Sequence, residues 1–583
     1  MRIATLSLLL GLLMIPTTAS APDEDAKLAA FFDAFLAKEH DACPFVGSRR
    51  GDRNCDFRLE DLSNSAGDAA LLIYRQTYGA MPRAVDYSKL SRNGQIDFDI
   101  LKLNLERELW IQSELKPYVH DPRLYVEYLT ESTYGLFTQS SAPKPVNVKN
   151  AVSRMAYLPR IVSAAKKNLQ NPPKIWTETA IQRTEGAINY YKDGIYIVSG
   201  ETPQVSEISK ATPPVIAALE DFHKFLKNDL LPRSDGDWRL GKDRFAEKMN
   251  YEMEGAFPAD QIVSEAEKEA QRVENEMYVI ARQLWSRYFP GQPLPSDDRR
   301  RELVAKIIDK VSQDHGEAAN LVRDIKTTVE EAKAFIKAKD ILRLPDPDRC
   351  QIIEMPEFQR GFSVAYCNNA PPLDTKANSY YAISPPPRDW DDRRKKSYLE
   401  EYNRQMLRIL TIHEAYPGHY VQLEYGNRNP SKIRRVLSSG VFAEGWAVYT
   451  EQMMLDQGFG DGDLGLRLCQ LKFYLRAVIN AILDYKMHCD NMSDEDAMKL
   501  LVGRAFQSDG EAAGKVIRAK LSACQLSTYF TGRMAFYKLR QEIQKEQGEK
   551  FELGRYHEAV LDHGTLPVKF LPELVRERLK AGR

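Results

Sequence analysis

The sequence predicts a mainly α-helical protein that carries one small β-sheet. Apolar residues recur with a period near 3.6 along most of the 583-residue chain, as they do on the buried faces of helices. The clearest helical segments are 26–36, 100–113, 214–230, 259–285 and 299–338. Three short segments rich in β-branched and aromatic residues are predicted strands, and they are 350–355, 362–367 and 379–384.

The composition indicates a large globular protein with a buried core, since 43% of the residues are hydrophobic. Lys and Arg number 81 and Asp and Glu number 82, which gives a net charge of -1. This balance provides no electrostatic footprint for a nucleic acid or an anionic membrane surface. Both are therefore excluded as expected partners.

The length of the chain favours several domains, but the nearly continuous helical signal is equally consistent with one large body. Breaks rich in Pro and Gly occur at 141–146, 288–296 and 371–391. We expect a single domain over residues 22–583, and the second of these breaks suggests a division into two halves near residue 290.

The first residues are typical of a removable signal peptide, because Arg2 precedes an apolar run over 3–15 and small residues follow it. The run is too short to span a bilayer comfortably, and no later stretch approaches 18 continuous apolar residues. We therefore expect residues 1–21 to be removed, with cleavage after Ala19 as the competing site. The mature protein is predicted to be exported, to a periplasm or to the exterior, without a stable membrane anchor.

Export makes disulfides possible, and the seven cysteines include two close pairs, Cys43 with Cys55 and Cys350 with Cys367. The second pair lies at the outer ends of two predicted strands around residues 356–361. In an antiparallel hairpin these two cysteines would face each other, so a disulfide between them is predicted. No catalytic role is assigned to any cysteine.

The chemistry is concentrated after residue 398, in a predicted helix that runs on toward residue 420. Its buried face is marked by Leu399, Tyr402, Met406, Ile409 and Leu410. His413 continues this face and Glu414 follows it directly, as in the first half of the zinc-binding motif HExxH. A single histidine on an apolar face is more often a core or cap residue, so the pair alone does not establish a metal site.

The second histidine of the motif is displaced, because the sequence here is HEAYPGH. His419 follows His413 by six residues, which is about 240° around an ideal helix, so an undistorted helix would point it away. Pro417 interrupts the helical hydrogen bonds and Gly418 tolerates unusual backbone angles. We therefore expect a local bulge that returns His419 to the metal.

A third ligand is expected from Glu444, 25 residues after His419 in the helical segment FAEGWAVYTEQM. Glu451 lies on the same stripe of that helix, where it would orient one of the ligands. Two histidines and one carboxylate form the ligand set of a catalytic Zn²⁺ site that keeps one position open for water. Glu414 would accept the proton of this water and pass it to the departing amine.

A tetrahedral intermediate also needs a hydrogen-bond donor for its oxyanion, and the sequence offers Tyr529 and His488 as candidates. The alternative for a tyrosine within an apolar helix is a core position with a satisfied hydroxyl.

Four blocks of sequence resemble the DUF885 family, which is similar to the gluzincin peptidases. They are HEAYPGHY, EGWAVYTE, QLSTYFTGRMAFYKLR from Gln525 and RYHEAVLDHGTLPVKFL from Arg555. The resemblance extends from about Ala26 onward. It implies a helical zincin-like body similar to the angiotensin-converting-enzyme and oligopeptidase groups, with zinc at the base of a deep central cleft and the small sheet beside the active-site helix.

The sequence departs from the family pattern at two places. Tyr420 stands where relatives often carry another histidine, and Tyr485-Lys486 stands where many relatives have Thr-Gly. The first departure leaves His419 as the remaining histidine after the Pro-Gly pair. The second puts any substrate contact of the backbone there in doubt.

The expected activity is hydrolysis of peptide bonds, with residues 379–384 available to pair with the substrate backbone. A competing interpretation is a noncatalytic, metal-containing protein that binds peptides. However, structural zinc sites usually have four protein ligands, and the sequence shows no fourth ligand nearby. A third interpretation is an amidase that acts on a non-peptide or cell-wall bond by the same chemistry.

Overall fold

The computed structural model describes residues 23–355, 364–388 and 390–581. The predicted signal peptide at residues 1–21 lies outside these residues. Within them the protein is mainly helical, as predicted, and no helix is both long and apolar enough to cross a membrane.

The α-helices follow one another along the whole described chain. In order they are α1 (Glu24–Ala42), α2 (Pro44–Arg50), α3 (Asn64–Ala84), α4 (Arg92–Trp110), α5 (Pro117–His120), α6 (Pro122–Thr138), α7 (Lys144–Met155), α8 (Leu158–Asn168), α9 (Lys174–Asn189), α10 (Ile195–Ser199), α11 (Val205–Phe225), α12 (Gly241–Glu252), α13 (Ala259–Tyr288), α14 (Arg300–Ser312), α15 (Leu321–Ala338), α16 (Asp392–Glu401), α17 (Arg404–Glu414), α18 (His419–Asn427), α19 (Lys432–Val436), α20 (Gly440–Asp456), α21 (Leu464–Cys489), α22 (Asp494–Gly503), α23 (Asp509–Leu521), α24 (Thr528–Gln547), α25 (Leu553–Leu561) and α26 (Leu571–Ala581).

The apolar faces of these helices form two hydrophobic cores. The smaller core combines Phe45, Leu59 and Leu62 with residues of α6 to α11 and of the turn that follows α11. The larger core combines α1, α3 and α4 with the helices from α12 to the end of the described chain. Trp285 and Leu303, on either side of residue 290, both belong to the larger core.

The sheet has three strands, β1 (Cys350–Glu354), β2 (Ala365–Asn368) and β3 (Ser379–Ile383). Their spatial order is β1-β3-β2, with β1 parallel and β2 antiparallel to the central strand β3. β2 packs against α17 and β1 packs against α15. The small sheet therefore lies beside the helix that carries His413 and Glu414.

The predicted hairpin between the first two strands is wrong, because β3 lies between them. Cys350 is opposite Ser379 on β3, and Cys367 is opposite Tyr381. Strands two positions apart in a sheet are separated by about 9.6 Å, whereas a disulfide requires a Cα separation of about 4.4–6.8 Å. All seven cysteines are free, including Cys43 and Cys55.

Candidate metal centre

The predicted helix from residue 398 to 420 is divided in the structure. α16 ends at Glu401, and α17 begins at Arg404 because the side chain of Asn403 accepts hydrogen bonds from the backbone N–H groups of Gln405 and Met406. α17 then carries its apolar face, including Ile409, into the larger core. This capped start fixes the face of α17 on which the later site residues lie.

A turn separates the two candidate histidines. α17 ends at Glu414 and α18 begins at His419, so the chain over residues 415–418 forms a complete break instead of the predicted bulge. The indole N–H of Trp446 on α20 donates to the carbonyl oxygen of Pro417 over 2.8 Å. The turn is thereby tied to the helix that supplies the third candidate ligand.

Gly418 allows this turn to approach the end of α17. Its N–H donates to the carbonyl oxygen of Ile412 over 2.9 Å. A Cβ atom at this position would lie 1.9 Å from the carbonyl oxygen of His413, so any side chain here would force the backbone apart. The glycine is needed for close approach, and it sets His419 beside His413.

The side chains of His413, His419 and Glu444 converge, and their candidate ligand atoms all lie within 4.8 Å of one another. Oε2 of Glu444 is 3.5 Å from Nε2 of His419 and 3.9 Å from Nε2 of His413. The two imidazole rings are perpendicular, with centroids 4.8 Å apart. Ligand atoms bound to one tetrahedral zinc ion lie about 3.3 Å apart, so modest adjustment would bring this group around a single ion.

The chemistry of the three groups also suits a cation. Within the described residues, Oε2 of Glu444 is buried and has no hydrogen-bond partner. Burial lowers the pKa of His413 to about 3, which keeps its ring neutral. An orphaned carboxylate oxygen beside a neutral imidazole is a donor set that fits a divalent metal such as zinc.

Glu451 fixes the orientation of His413. Its Oε1 lies 2.7 Å from Nδ1 of His413, and its side chain has no exposed surface. When Glu451 is ionised its carboxylate accepts this hydrogen bond, Nδ1 carries the hydrogen and the lone pair of Nε2 faces Glu444. This is the contact that the role predicted for Glu451 requires.

A cavity of about 400 Å³ opens beside the group, and its lining includes His413, Glu414 and Tyr529. His419 and Glu444 lie outside this lining, although their side chains keep 14% and 22% of their exposure. Burial raises the pKa of Glu414 to about 7. Its carboxyl group can therefore exchange a proton near neutral pH, as a general base must.

Close contact between α20 and α24 brings Glu444 and Tyr529 to the same region. A Cβ atom on Gly445 would lie 2.3 Å from Cα of Gly532, so the two helices touch through their backbones. Glu444 directly precedes the first glycine, and Tyr529 lies three residues before the second. The contact between the two helices thus fixes the position of Tyr529, the candidate oxyanion donor, relative to Glu444, a candidate ligand.

The hydroxyl of Tyr529 accepts two hydrogen bonds, from Nη2 of Arg518 over 3.0 Å and from Nε2 of Gln525 over 3.2 Å. Since a phenolic oxygen has one proton of its own, that proton remains available to a group in the cavity. This arrangement suits the donor role predicted for Tyr529.

The structure does not bring His488 to the cavity beside the candidate ligands. Its Nε2 lies 2.9 Å from the carbonyl oxygen of Ala519 and 3.1 Å from that of Ser522, and its ring stacks on Phe245. It does not line the cavity that holds His413. His488 instead connects the end of α21 to α23, a contact between distant segments that the local sequence does not reveal.

Tyr420, the residue that replaces a histidine common in the family, is also a structural residue. It is fully buried, and its hydroxyl donates to Oδ1 of Asp348 over 2.9 Å and accepts from the backbone N–H of Arg349 over 2.8 Å. It is therefore directed at the start of β1 and takes no part in the group of candidate ligands.

Sequence reasoning missed two cationic residues in the cavity lining, Lys515 and Arg518 of α23. A signal for the first was present, because Lys515 falls in the pattern Ala512, Lys515, Val516 and Ala519 that otherwise marks an apolar helix face. A lysine in such a pattern is unusual, since lysine is rarely buried without a partner.

Comparison with known proteins gives a family and a fold. A family model described as "Bacterial protein of unknown function (DUF885)" matches residues 44–575. A solved structure described as a "putative lipoprotein of unknown function" from Shewanella oneidensis is 28% identical, with a TM-score of 0.78 over 94% of this chain and 99% of that one. A "putative lipoprotein" from Colwellia psychrerythraea is 16% identical, with a TM-score of 0.75 over 96% and 100% of the two chains, and shows the fold alone. No curated protein matches the chain.

Proposed function

This chain belongs to the DUF885 family, and we propose that it is an exported zinc-dependent peptidase whose metal is held by His413, His419 and Glu444. The observation that carries the proposal is the convergence of these three side chains, in which Oε2 of Glu444 is buried without a hydrogen bond, with Glu414 in the adjoining cavity wall. Two histidines and one carboxylate are a catalytic ligand set, because they leave a position open.

The bound zinc ion would supply Lewis acidity, which makes water nucleophilic near neutral pH and polarises a carbonyl group. Glu414 accepts the proton that the attacking water loses and delivers it to the amine that leaves. The raised pKa of Glu414 suits both transfers. Glu451 holds the ring of His413 in one orientation throughout.

Tyr529 would donate its phenolic proton in a hydrogen bond to the carbonyl oxygen of the scissile peptide as negative charge develops there. Arg518 and Gln525 both donate to the phenolic oxygen, so they hold it in place and strengthen it as a donor. The fixed crossing of α20 and α24 keeps this donor preorganised, which is what stabilisation of a transition state requires.

Two features support export. The first residues are typical of a signal peptide. The two structural relatives are each described as a "putative lipoprotein", which is consistent with a location outside the cytoplasm.

The proposal is tested by metal analysis and by digestion of a peptide library read by mass spectrometry. We expect about one zinc ion per chain, and cleavage at peptide bonds. Glu414→Gln should keep its zinc and lose hydrolysis, because an amide cannot act as a general base. A zinc-loaded protein that cleaves no peptide would instead support a noncatalytic binding protein.

His419→Ala should lose stoichiometric zinc. A second group of potential ligands, His40, Asp52 and Cys55, provides a matched control. In that group Nδ1 of His40 is already 3.0 Å from Oδ2 of Asp52, so the two side chains satisfy each other. Cys55→Ser should therefore leave the zinc content unchanged. If zinc is lost in this variant and kept in His419→Ala, the metal binds at the group of His40, Asp52 and Cys55 instead.

A further inference from the structure

We propose that Lys515 and Arg518 bind the C-terminal carboxylate of the substrate, so that the protein acts on peptides from their free C-terminal end. This inference rests on the peptidase function proposed above and assigns its substrate class. It depends on two cationic side chains of the cavity lining, Lys515 and Arg518, that form no ion pair with a carboxylate of the described residues.

Lys515 is a buried lysine without a partner. Lys515 is only 5% exposed, and it lines the same cavity as His413 and Glu414. In the described part of the chain, its ammonium group makes no hydrogen bond and no ion pair. Burial of an unpaired charge is costly, so the amine holds its proton less firmly in the empty cavity and becomes a stable ammonium group when an anion binds beside it.

Two carboxylates that line the cavity with Lys515 have other partners. Glu511 lies 3.2 Å from Nη2 of Arg476 and accepts a hydrogen bond of 2.6 Å from the hydroxyl of Tyr402. Glu401 accepts from Nζ of Lys472 over 2.9 Å. The remaining acidic side chains of the site serve His413 or the proposed reaction. These contacts leave Lys515 and Arg518 available to a carboxylate of the ligand.

Arg518 lies one turn after Lys515 on the same face of α23. Its Nη2 donates to two uncharged oxygens, those of Gln525 and Tyr529, and none of the described carboxylates forms a hydrogen bond or an ion pair with it. A guanidinium group offers five N–H donors, so several remain for a ligand carboxylate. Since Arg518 also contacts Tyr529, the proposed carboxylate site adjoins the group that would stabilise the reacting carbonyl.

The electrostatic environment supports the same assignment. Burial and the neighbouring Arg476 and Arg518 hold the pKa of Lys515 well below its usual value. A bound carboxylate opposes both effects, because it neutralises the cationic cluster and pairs with the ammonium group. Binding of a free C-terminus and protonation of Lys515 would therefore favour each other.

The test uses one peptide library synthesised twice, with free C-terminal carboxylates and with C-terminal amides. We expect the zinc-loaded protein to cleave the free-acid library at least about 30-fold faster in kcat/KM, as loss of one partner of a buried charge pair predicts. The products should be released from the C-terminal end. Equal rates for the two libraries, with cleavage by the same enzyme, would overturn the inference and leave the peptidase function intact.

Variants locate the carboxylate site. Lys515→Met should lower hydrolysis of the free-acid library to near that of the amide library, and Arg518→Gln, at an exposed side chain, should reduce the same preference without endangering the fold. Lys499→Met is the matched control, because that lysine is 66% exposed on the neighbouring helix α22. A preference that survives in both Lys515→Met and Arg518→Gln would overturn the assignment of these residues.

Equilibrium dialysis of both libraries against Glu414→Gln separates binding from turnover. Preferential retention of free-acid peptides supports the carboxylate site even if the wild-type protein hydrolyses nothing, in which case the peptidase proposal alone fails. Peptides with a C-terminal amide and a glutamate near the C-terminus show whether the bound carboxylate is that of the chain end or that of a side chain. If these bind as tightly as free acids, the site recognises acidic side chains and the C-terminal assignment is wrong.

Discussion

The ring of His413 and the carboxylate of Glu451 form a buried pair, with Nδ1 and Oε1 2.7 Å apart. Glu451 lies two turns after Glu444 on α20, so one helix carries both a proposed metal ligand and the group that orients another ligand. The second carboxylate oxygen of Glu451 is buried without a hydrogen-bond partner in the described structure. The pair thus couples the orientation of α17 to that of α20.

Loss of this carboxylate should weaken metal binding. We expect Glu451→Leu to lower zinc affinity by about 10- to 100-fold, since His413 would lose the acceptor that fixes its orientation. Glu451→Gln should have a smaller effect, because its amide oxygen can still accept the hydrogen bond. Chelator competition measures the affinity, and unfolding of the zinc-free proteins controls for stability. Unchanged affinity in the leucine variant would remove Glu451 from the metal site.

The turn between the histidines should not tolerate a side chain. Gly418→Ala would place Cβ 1.9 Å from the carbonyl oxygen of His413, so the turn must shift and His419 must move with it. We expect loss of stoichiometric zinc, measured by metal analysis. Gly79→Ala is the control, because no atom lies within 4 Å of its added Cβ, and in the interior of α3 it should stabilise the protein by about 0.5–1 kcal/mol.

Tyr529 should affect turnover without affecting the metal. Tyr529→Phe removes the phenolic proton and should lower kcat by about 100-fold or more, with little change in KM and full retention of zinc. Steady-state kinetics on the zinc-loaded variant measure this effect. Near-normal turnover would show that Tyr529 is only a packing residue.

His488 provides the contrasting case. His488→Ala should lower the free energy of unfolding, because it removes the contacts with the carbonyl oxygens of Ala519 and Ser522. It should leave kcat per folded molecule close to the wild-type value. Denaturant unfolding and kinetics on the same preparation separate the two effects. A loss of kcat without a loss of stability would indicate that His488 takes part in the reaction.

A buried carboxyl group outside the site should make stability depend on pH. Burial raises the pKa of Glu254 to about 7, and its Oε2 accepts a hydrogen bond from the hydroxyl of Ser439. Between pH 4.5, the pKa in the unfolded chain, and pH 7, the carboxyl group of Glu254 is protonated in the folded state and ionised in the unfolded state. The free energy of unfolding therefore falls as pH rises through this range, by up to about 3 kcal/mol.

Glu254→Gln should remove this dependence. The variant should be more stable than the wild type at pH 8, and the difference should shrink toward zero near pH 4.5. Urea unfolding across this pH range measures both proteins. Glu495→Gln, at a side chain that is 79% exposed, is the control, and its free energy of unfolding should differ from that of the wild type by the same amount at every pH. If the free energy of unfolding of Glu254→Gln also runs parallel to that of the wild type, the raised pKa is contradicted.

The sheet order predicts the state of the thiols. Because β3 separates Cys350 from Cys367, exported protein that is denatured and alkylated without reductant should carry a label on both residues. Mass spectrometry of its peptides reads this directly. A crosslinked Cys350–Cys367 peptide would require a different strand order.

The helical architecture and the candidate ligands could be predicted because their signals are local. Periodic apolar residues define the helices, and the spacing of His413, Glu414, His419 and Glu444 indicates a metal site wherever the helices pack. The break at Asn403 had a local signal too, since asparagine is a strong helix cap, but the apolar periodicity continued through it.

The remaining features depend on contacts between distant segments. The insertion of β3 between β1 and β2 follows a tertiary preference that strand propensity does not contain. His488 resembles a candidate donor in sequence, and only the packing of α21 against α23 shows that it is occupied elsewhere. Lys515 interrupts an apolar helix face in the sequence, but only the packed structure shows that Glu511 and Glu401 pair with other cations.

The two hydrophobic cores differ in the order in which the chain can complete them. Most of the smaller core comes from α6 to α11, so it can close soon after that continuous stretch is available. The larger core needs both the first and the last helices, and Arg92 on α4 pairs with Glu573 on α26, 481 positions later. Contacts of such separation form slowly. The larger core therefore stays incomplete until the last helices are available, and we expect α1, α3 and α4 to reach their final packing after the smaller core has closed.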